Sequence, residues 1–197
     1  MKLVQHGGKT VARVVDKFEA KDLGAPFKVV LNDSVKVTYD EATGEVVSYM
    51  IPDLDGLLWS VVMTRLLHPR KLFGADIKFV RKVLGLKQKE LASKIDLSVE
   101  HLSRCETNVL PMSPGSEKLF RIFALKSAFK LHNMKACDAK TKLEDGLDRL
   151  FDGVKPMSVF DVKDELELNF YRSKMHRKSP GSDGADDGHW DAGLEAA

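Results

Sequence analysis

Apolar residues recur along this chain with two different periods. Val11, Val14, Val15 and Phe18 stand at helical spacing, which places a short helix in the lead-in of residues 1–26, ending near Gly24 and Pro26. From Phe27 the pattern becomes strand-like. Val35, Val37 and Tyr39 alternate with Lys36, Thr38 and Asp40, Glu41-Ala42-Thr43-Gly44 supplies turn chemistry, and residues 45–51 are rich in β-branched and aromatic side chains. That predicts a hairpin with Gly44 at positive φ, and an isolated hairpin is marginal in water, so it must pack on something. Pro52-Asp53 then opens a helix. Leu54, Leu57, Leu58, Val61, Val62 and Leu66 make one stripe, which stops before His68-Pro69. Trp59 and Met63 lie off the stripe, so a second apolar face is left either for burial within the chain or for a second subunit.

Residues 74–125 read as four short helices. The first starts at Gly74-Ala75-Asp76, turns Ile77, Val80, Val83 and Leu84 inward and closes at Gly85. The second runs from Gln88 to Lys94 with Leu91, Ala92 and Ile95 as its apolar contacts, and small Ala92 admits a close helix crossing. Asp96 occupies a tight turn where a left-handed backbone is tolerated. Leu97 returns to the core and Ser98 caps the third helix, Val99–Glu106. There Leu102 and Cys105 face inward, while Glu100, His101, Ser103, Arg104 and Thr107 face solvent or a groove. Ser113-Pro114 opens the fourth, with Leu119, Ile122, Phe123 and Leu125 completing the hydrophobic centre.

Beyond this block the pattern weakens. Leu143, Leu147, Leu150 and Phe151 suggest an amphipathic helix over residues 135–151, and residues 159–171 alternate acidic and apolar positions in a way that fits a short helix or a strand. From Ser179 the chain is Ser-, Gly- and Asp-rich with little to bury, so a disordered tail is expected. The expected organisation is an N-terminal hairpin-plus-helix domain for dimerisation or partner binding (1–68), a helical domain (69–130), a helical extension (131–178) and the tail (179–197). The fold class that follows is mainly α with a small N-terminal β-hairpin region.

Charge sharpens the picture in the middle of the chain. The net charge is only +2, yet residues 61–130 hold 14 basic and 6 acidic side chains, while both flanks are net acidic. A cationic central block suits a surface that neutralises phosphates. Other chemistry is poorly represented. Cys105 and Cys137 form no paired thiol motif, and the six histidines show no metal-ligand spacing. Gly7-Gly8-Lys9-Thr10 lacks the first glycine and the preceding strand of a phosphate-binding loop. No catalytic set, metal site or cofactor is indicated, and the chain is not read as an enzyme. No apolar run approaches the roughly 18 residues of a membrane span and no secretory leader is evident, so a cytoplasmic location is expected.

Gln88-Lys89-Glu90-Leu91-Ala92, followed by Leu97-Ser98 and Leu102-Ser103-Arg104-Cys105-Glu106, resembles the XRE (Cro/cI-type) helix-turn-helix. The stretches Ile51-Pro52-Asp53-Leu54-Asp55-Gly56-Leu57 and Leu72-Phe73-Gly74-Ala75-Asp76-Ile77-Lys78-Phe79-Val80-Arg81-Lys82 are similar to regulators and antitoxins of the MqsA/YgiT type, in which the motif follows a small β-rich domain. The resemblance covers about residues 35–130 and is specific across 74–106. It implies a lambda-repressor-like bundle, phosphate contacts from Gln88 and Ser98, and base-edge contacts from Glu100, His101 and Arg104. Lys87, Ser103 and Thr107 complete the expected DNA-facing set. Physical chemistry agrees, since helix N-termini suit phosphate oxygens and an arginine fork suits the two acceptors of guanine.

The sequence departs from that pattern in three places. Lys87 stands where a Ser or Thr usually caps, Cys105 replaces a bulky aromatic, and the N-terminal region has no cysteine from which the zinc site of the MqsA/YgiT relatives could be built. The expected function is a sequence-specific regulator that binds double-stranded DNA as a homodimer on an inverted repeat. The competing expectation is a protein-interaction module, in which the hairpin and following helix bind a toxin or another regulator and DNA contact is secondary.

Overall fold

A thirteen-residue strand organises the sheet. The computed structural model describes residues 9–131, 165–174 and 188–193. In it β2 (Lys28–Asp40) pairs antiparallel with β1 (Thr10–Glu19) along one edge. The other edge of β2 is shared. Residues 28–32 pair parallel with β4 (Glu167–Lys174), and residues 36–39 pair antiparallel with β3 (Val46–Met50). β5 (Gly188–Ala192) adds antiparallel to β4, giving one five-stranded mixed sheet. Asp33 and Ser34 of β2 stand against the single Asp16 of β1, with Asp33 at φ 49°, so the long strand carries a β-bulge at its middle. Gly44, at φ 72°, closes the β2–β3 hairpin where the turn chemistry predicts it.

Five α-helices accompany the sheet: α1 (Leu54–Leu67), α2 (Gly74–Val83), α3 (Gln88–Lys94), α4 (Val99–Glu106) and α5 (Pro114–Leu131). The chain divides into two units. One holds the five strands and the chain through Leu57; the other holds residues 22–27 and the helical run from Leu58. Among the described residues, no helix is long and apolar enough to cross a membrane.

The expected class, mainly α with a small hairpin and a lambda-repressor-like bundle, is therefore corrected to an α/β fold. Three misread segments account for it. In the lead-in, Val11 and Val15 are four residues apart, as are Val14 and Phe18. A separation of four keeps side chains on one face of a helix, but it is also even and keeps them on one face of a strand. The β-branched valines and the long partner β2 decide for β1. Residues 167–174, inside the expected helical extension, form β4, whose Leu168 and Phe170 are buried. Residues 188–192, inside the expected disordered tail, form β5. Its anchor is Trp190, which is buried and donates from Nε1 to the carbonyls of Pro52 and Asp53, each at 3.2 Å. One aromatic and a backbone ladder suffice where composition averaged over the tail shows almost nothing to bury. The helix expected at 135–151 lies outside the described residues.

Of two helix faces, the structure decides one that the sequence left open and corrects the other. The second apolar face of α1 is covered within the chain, since Met63 is buried and Trp59 meets Phe129 of α5 edge-on at 6.4 Å. On α5 the inward stripe is Glu117, Phe120, Arg121, Ala124, Leu125 and Ala128, which leaves Leu119 and Ile122 exposed at 39% and 38%. The stripe includes an ion pair, and taking those charges as outward rotates the helix away from its true core face.

That pair belongs to a buried network around the segment joining α1 to α2. Arg121 and Glu117 are both fully buried, with Arg121 Nη2 donating to Glu117 Oε1 at 2.8 Å. Arg121 also donates to the carbonyls of Leu66, His68 and Arg70 at 2.6, 2.6 and 2.7 Å. Arg65 pairs with buried Asp76 through Nε and Nη2 at 3.0 and 2.9 Å and donates to the carbonyls of Arg70 and Lys71. A buried connector carries backbone acceptors that water cannot reach, and two guanidinium forks satisfy them here.

His68 sits among these cations. Its Nδ1 accepts from the backbone N–H of Arg70 at 3.1 Å, which requires an unprotonated Nδ1. Burial, and then the charges of Arg65, Arg121 and Arg70, hold the imidazole below its ordinary pKa of 6.5, with Asp76 opposing. The folded state thus binds fewer protons than the unfolded chain as pH falls through about 6.5, so His68 contributes stability above that pH that is lost below it. We expect the urea midpoint to fall between pH 7.5 and pH 5.5, with a smaller fall in His68→Asn, which retains an acceptor for the Arg70 N–H. An imidazole resonance of His68 titrating at or above 6.5 would contradict this.

Candidate nucleic-acid interface

The α3–α4 pair is built as its sequence dictates. Leu91, Ala92 and Ile95 are buried, and the Leu97 N–H reaches back to the carbonyl of Ala92 at 3.0 Å. Asp96 takes φ 52°, the left-handed conformation that turns the chain sharply between the helices. Ser98 caps α4, its Oγ accepting from the backbone N–H of His101 at 3.1 Å. At the head of α3, Lys87 has no side chain suited to capping. Glu90 supplies part of the cap instead, its Oε2 accepting from the Lys87 N–H at 2.9 Å.

α4 has two unlike sides. Leu102, Cys105 and Glu106 are buried. Glu100, Arg104 and Thr107 are exposed, and Val99, His101 and Ser103 are half-buried. The outer side thus offers a guanidinium fork, an imidazole, a carboxylate and hydroxyls within two turns. The Thr107 hydroxyl donates to the carbonyl of Ser103 at 3.0 Å or to that of Arg104 at 3.3 Å, so its proton stays on the helix. The Arg104 guanidinium makes no hydrogen bond or ion pair among the described residues. From α2 through Thr107, Lys78, Lys82, Lys87, Lys89, Lys94 and Arg104 are exposed, against exposed Glu90, Asp96 and Glu100.

Of the sequence-derived residues, Ser98, Glu100, His101, Ser103, Arg104 and Thr107 come together on or beside α4, while Lys87 and Gln88 stand at the start of α3. Gln88 is half-buried, and its Nε2 donates to Glu106 Oε2 at 3.2 Å, so this side chain is also tied to α4. Glu106 was not anticipated. It is buried and held bidentately by Arg81 of α2, Nε to Oε1 at 2.6 Å and Nη2 to Oε2 at 2.9 Å, while Arg81 Nη1 donates to the carbonyl of Leu86 at 3.0 Å. One guanidinium therefore joins α2, the loop after it and α4. The available signal was positional: Glu106 lies four residues after Leu102, on the inward stripe.

Gly74 is the other unanticipated element. A Cβ there would lie 2.3 Å from the carbonyl oxygen of Cys105 and 2.5 Å from that of Glu106, so the start of α2 meets the end of α4 backbone to backbone. Asn108, at φ 58°, accepts from the Gly74 N–H through Oδ1 at 2.6 Å. Cys105 is buried, and burial raises its thiol above the ordinary range, with Lys71 pulling the other way.

No protein-family model, curated protein or solved structure matches the chain.

The Arg81–Glu106 pair should dominate the fixing of α4. Removing one member of a buried pair leaves the other charge uncompensated, at a cost on the order of 3–5 kcal/mol. Glu106→Ala is expected to lose that much in urea unfolding, whereas Arg81→Met/Glu106→Leu should lose less than Glu106→Ala alone. A Glu106→Ala midpoint unchanged from wild type would show that the pair does not hold the helix.

Proposed function

We propose that this chain is a sequence-specific transcriptional regulator that inserts α4 into the major groove of duplex DNA and acts by binding rather than catalysis. The carrying observation is the division of α4 into a fixed inner side, Leu102, Cys105 and Glu106, and an accessible polar outer side whose Arg104 has no partner among the described residues. A groove reader needs both: a rod that does not shift, and side chains whose donors and acceptors remain uncommitted until base edges arrive. The resemblance of residues 88–106 to the Cro/cI-type motif points the same way. In this reading Arg104 contacts a guanine, His101 and Glu100 flank it, and Ser98, Ser103 and Thr107 approach the backbone or bases. Lys87 contributes charge toward phosphates, and Gln88 combines a phosphate contact with its bond to Glu106. A homodimer presents two copies of α4 to an inverted repeat, with half-site centres about one helical turn, roughly 34 Å, apart. The working location is the cytoplasm, and no cofactor is required.

Selection of bound duplexes from a random pool, followed by titration across salt, tests the reading. Affinity should fall steeply with salt as condensed counterions are released. Arg104→Ala should weaken the selected site by about 1–3 kcal/mol and relax one base position, while Lys87→Ala should weaken all duplexes alike and lower the salt slope by about 1. Recovery of no enriched sequence, together with salt-insensitive binding, would remove the regulator assignment.

A further inference from the structure

Side chains hold the backbone where the connector from α1 enters α2. The Arg70 N–H donates to His68 Nδ1 at 3.1 Å, Leu72 to Glu117 Oε1 at 2.9 Å, Phe73 to Asp76 Oδ2 at 2.7 Å and Gly74 to Asn108 Oδ1 at 2.6 Å. The acceptors come from the connector itself, from α5, from α2 and from the turn after α4. This short stretch therefore ties those elements together, and it ends at the residue that meets the backbone of α4. Imidazole is the one acceptor class among the four that changes charge between about pH 5 and 8.

As an acceptor, His68 Nδ1 carries no proton, and the ring's proton is on Nε2. A second proton can go only to Nδ1, which turns the acceptor into a donor facing the Arg70 N–H. It also adds positive charge to a crowded place. The charges acting on the ring are Arg65 from α1, Arg121 from α5 and Arg70 from the connector, answered by Asp76 of α2. The Glu117 carboxylate of α5 is already engaged by Arg121 and Lys71. Arg121 holds the His68 carbonyl at 2.6 Å as well, so repulsion of the ring acts on the same residue whose backbone that guanidinium positions.

We infer that this connector is an acid-operated release for α4: a proton on His68 Nδ1 breaks the bond to the Arg70 backbone, drives the ring from the surrounding arginines and loosens the start of α2 on which α4 rests. In the closed form burial and those arginines hold the imidazole below its ordinary pKa. Opening returns it to water, so the open form binds the proton more tightly and gains population as pH falls through about 6.5. The release needs no ligand. Its consequence for duplex rests on the regulatory reading above: α4 loses its fixed rotation and DNA is let go in acid. A proton on His101, on the outer side, would strengthen attraction to phosphates, so a loss of affinity has the sign of the connector and not of the groove face.

Amide protection factors of the full chain, measured by NMR without DNA, test the release. One proton can shift an opening equilibrium by at most about a hundredfold over two pH units. Within that ceiling, protection of the Arg70, Leu72 and Gly74 amides should fall by about tenfold from pH 7.5 to pH 5.5, while amides in the middle of α5 keep theirs. His68→Asn, neutral throughout and able to accept from Arg70, should hold all three amides closed at both pH values. His68→Lys should show the low protection already at pH 7.5; if it does not fold, the comparison with His68→Asn decides alone. An equal loss in wild type and His68→Asn overturns the release. A loss spread evenly over α1 to α5 overturns it too, since that is unfolding of the whole unit. On the selected duplex, wild-type affinity should fall by about tenfold over the same range and that of His68→Asn should not. Opening that leaves duplex affinity unchanged overturns the coupling to α4. A chain that opens as described but binds no duplex at any pH leaves the release standing and removes only the regulatory reading.

Discussion

The Glu117 carboxylate, fully excluded from water, accepts hydrogen bonds from Lys71 Nζ, the Leu72 N–H and two nitrogens of Arg121, and the placement of α4 descends from it. Holding Leu72 and Lys71 fixes the connector where α2 begins. Asp76 then receives Arg65 from α1 and caps α2, its Oδ2 accepting from the Phe73 N–H at 2.7 Å. With the start of α2 fixed, Gly74 seats against the carbonyls of Cys105 and Glu106, and Arg81 reaches Glu106 seven residues later. Each step is a hydrogen bond or backbone contact that tolerates little displacement. Breaking one buried pair costs on the order of 3–5 kcal/mol, against a total stability of roughly 5–15 kcal/mol for a typical domain. The network is therefore a condition of the fold and not an embellishment of it.

Buried charge also bears on how the central cationic block should be counted. Of its 14 basic and 6 acidic side chains, Arg65, Lys71, Arg81 and Arg121 are committed internally against Asp76, Glu106 and Glu117. That leaves ten basic and three acidic side chains outside the network. The internal groups nearly cancel, so the interior takes almost none of the excess, and the field available to phosphates is close to what composition implies. Within the connector, burial first and the charges of Arg65, Arg121 and Arg70 after it hold the His68 imidazole below its ordinary pKa.

Legibility in the sequence followed the kind of force at work. The helices from Gly74 to Glu106, the left-handed Asp96, the Ser98 cap and the Gly44 turn were all readable, because each is set by local sterics or by a short apolar period. The sheet was largely hidden. β1 is stabilised by partners up to thirty positions away, β4 pairs with residues more than 130 positions earlier, and β5 depends on one tryptophan. The β1 and β5 pairings leave no local period of their own, and the alternation over residues 159–171 left helix and strand equally open for the segment that begins β4. The α5 face was misread for a different cause: burial there is carried by Glu117 and Arg121, residue types that a hydrophobicity pattern assigns to solvent. Most of the expected α4 face is exposed as its pattern implied, whereas the residues that fix the helix from behind, Gly74, Arg81 and Glu106, escaped notice because their role lies in tertiary contacts.

Cys105, one of the differences from the Cro/cI-type motif that residues 88–106 resemble, sits where these contacts meet. A bulky aromatic at position 105 would fill the junction of α2 and α4 with side chain. Here the backbones themselves meet at Gly74, and Cys105 lies among Leu72, Ile77 and Met112 with little volume of its own. In this chain α4 is held by an ion pair, a glycine contact and the Asn108–Gly74 hydrogen bond. Polar contacts of this kind are directional, so they define the rotation of the helix about its axis as well as its depth. For a helix proposed to read base edges rotation is the coordinate that matters, since turning α4 by one residue's worth of arc would exchange Arg104 for Ser103 at the floor of a groove. Rigidity already established in the free chain also lowers the ordering cost of binding, which leaves the outer side chains as the groups still to be ordered when duplex is engaged.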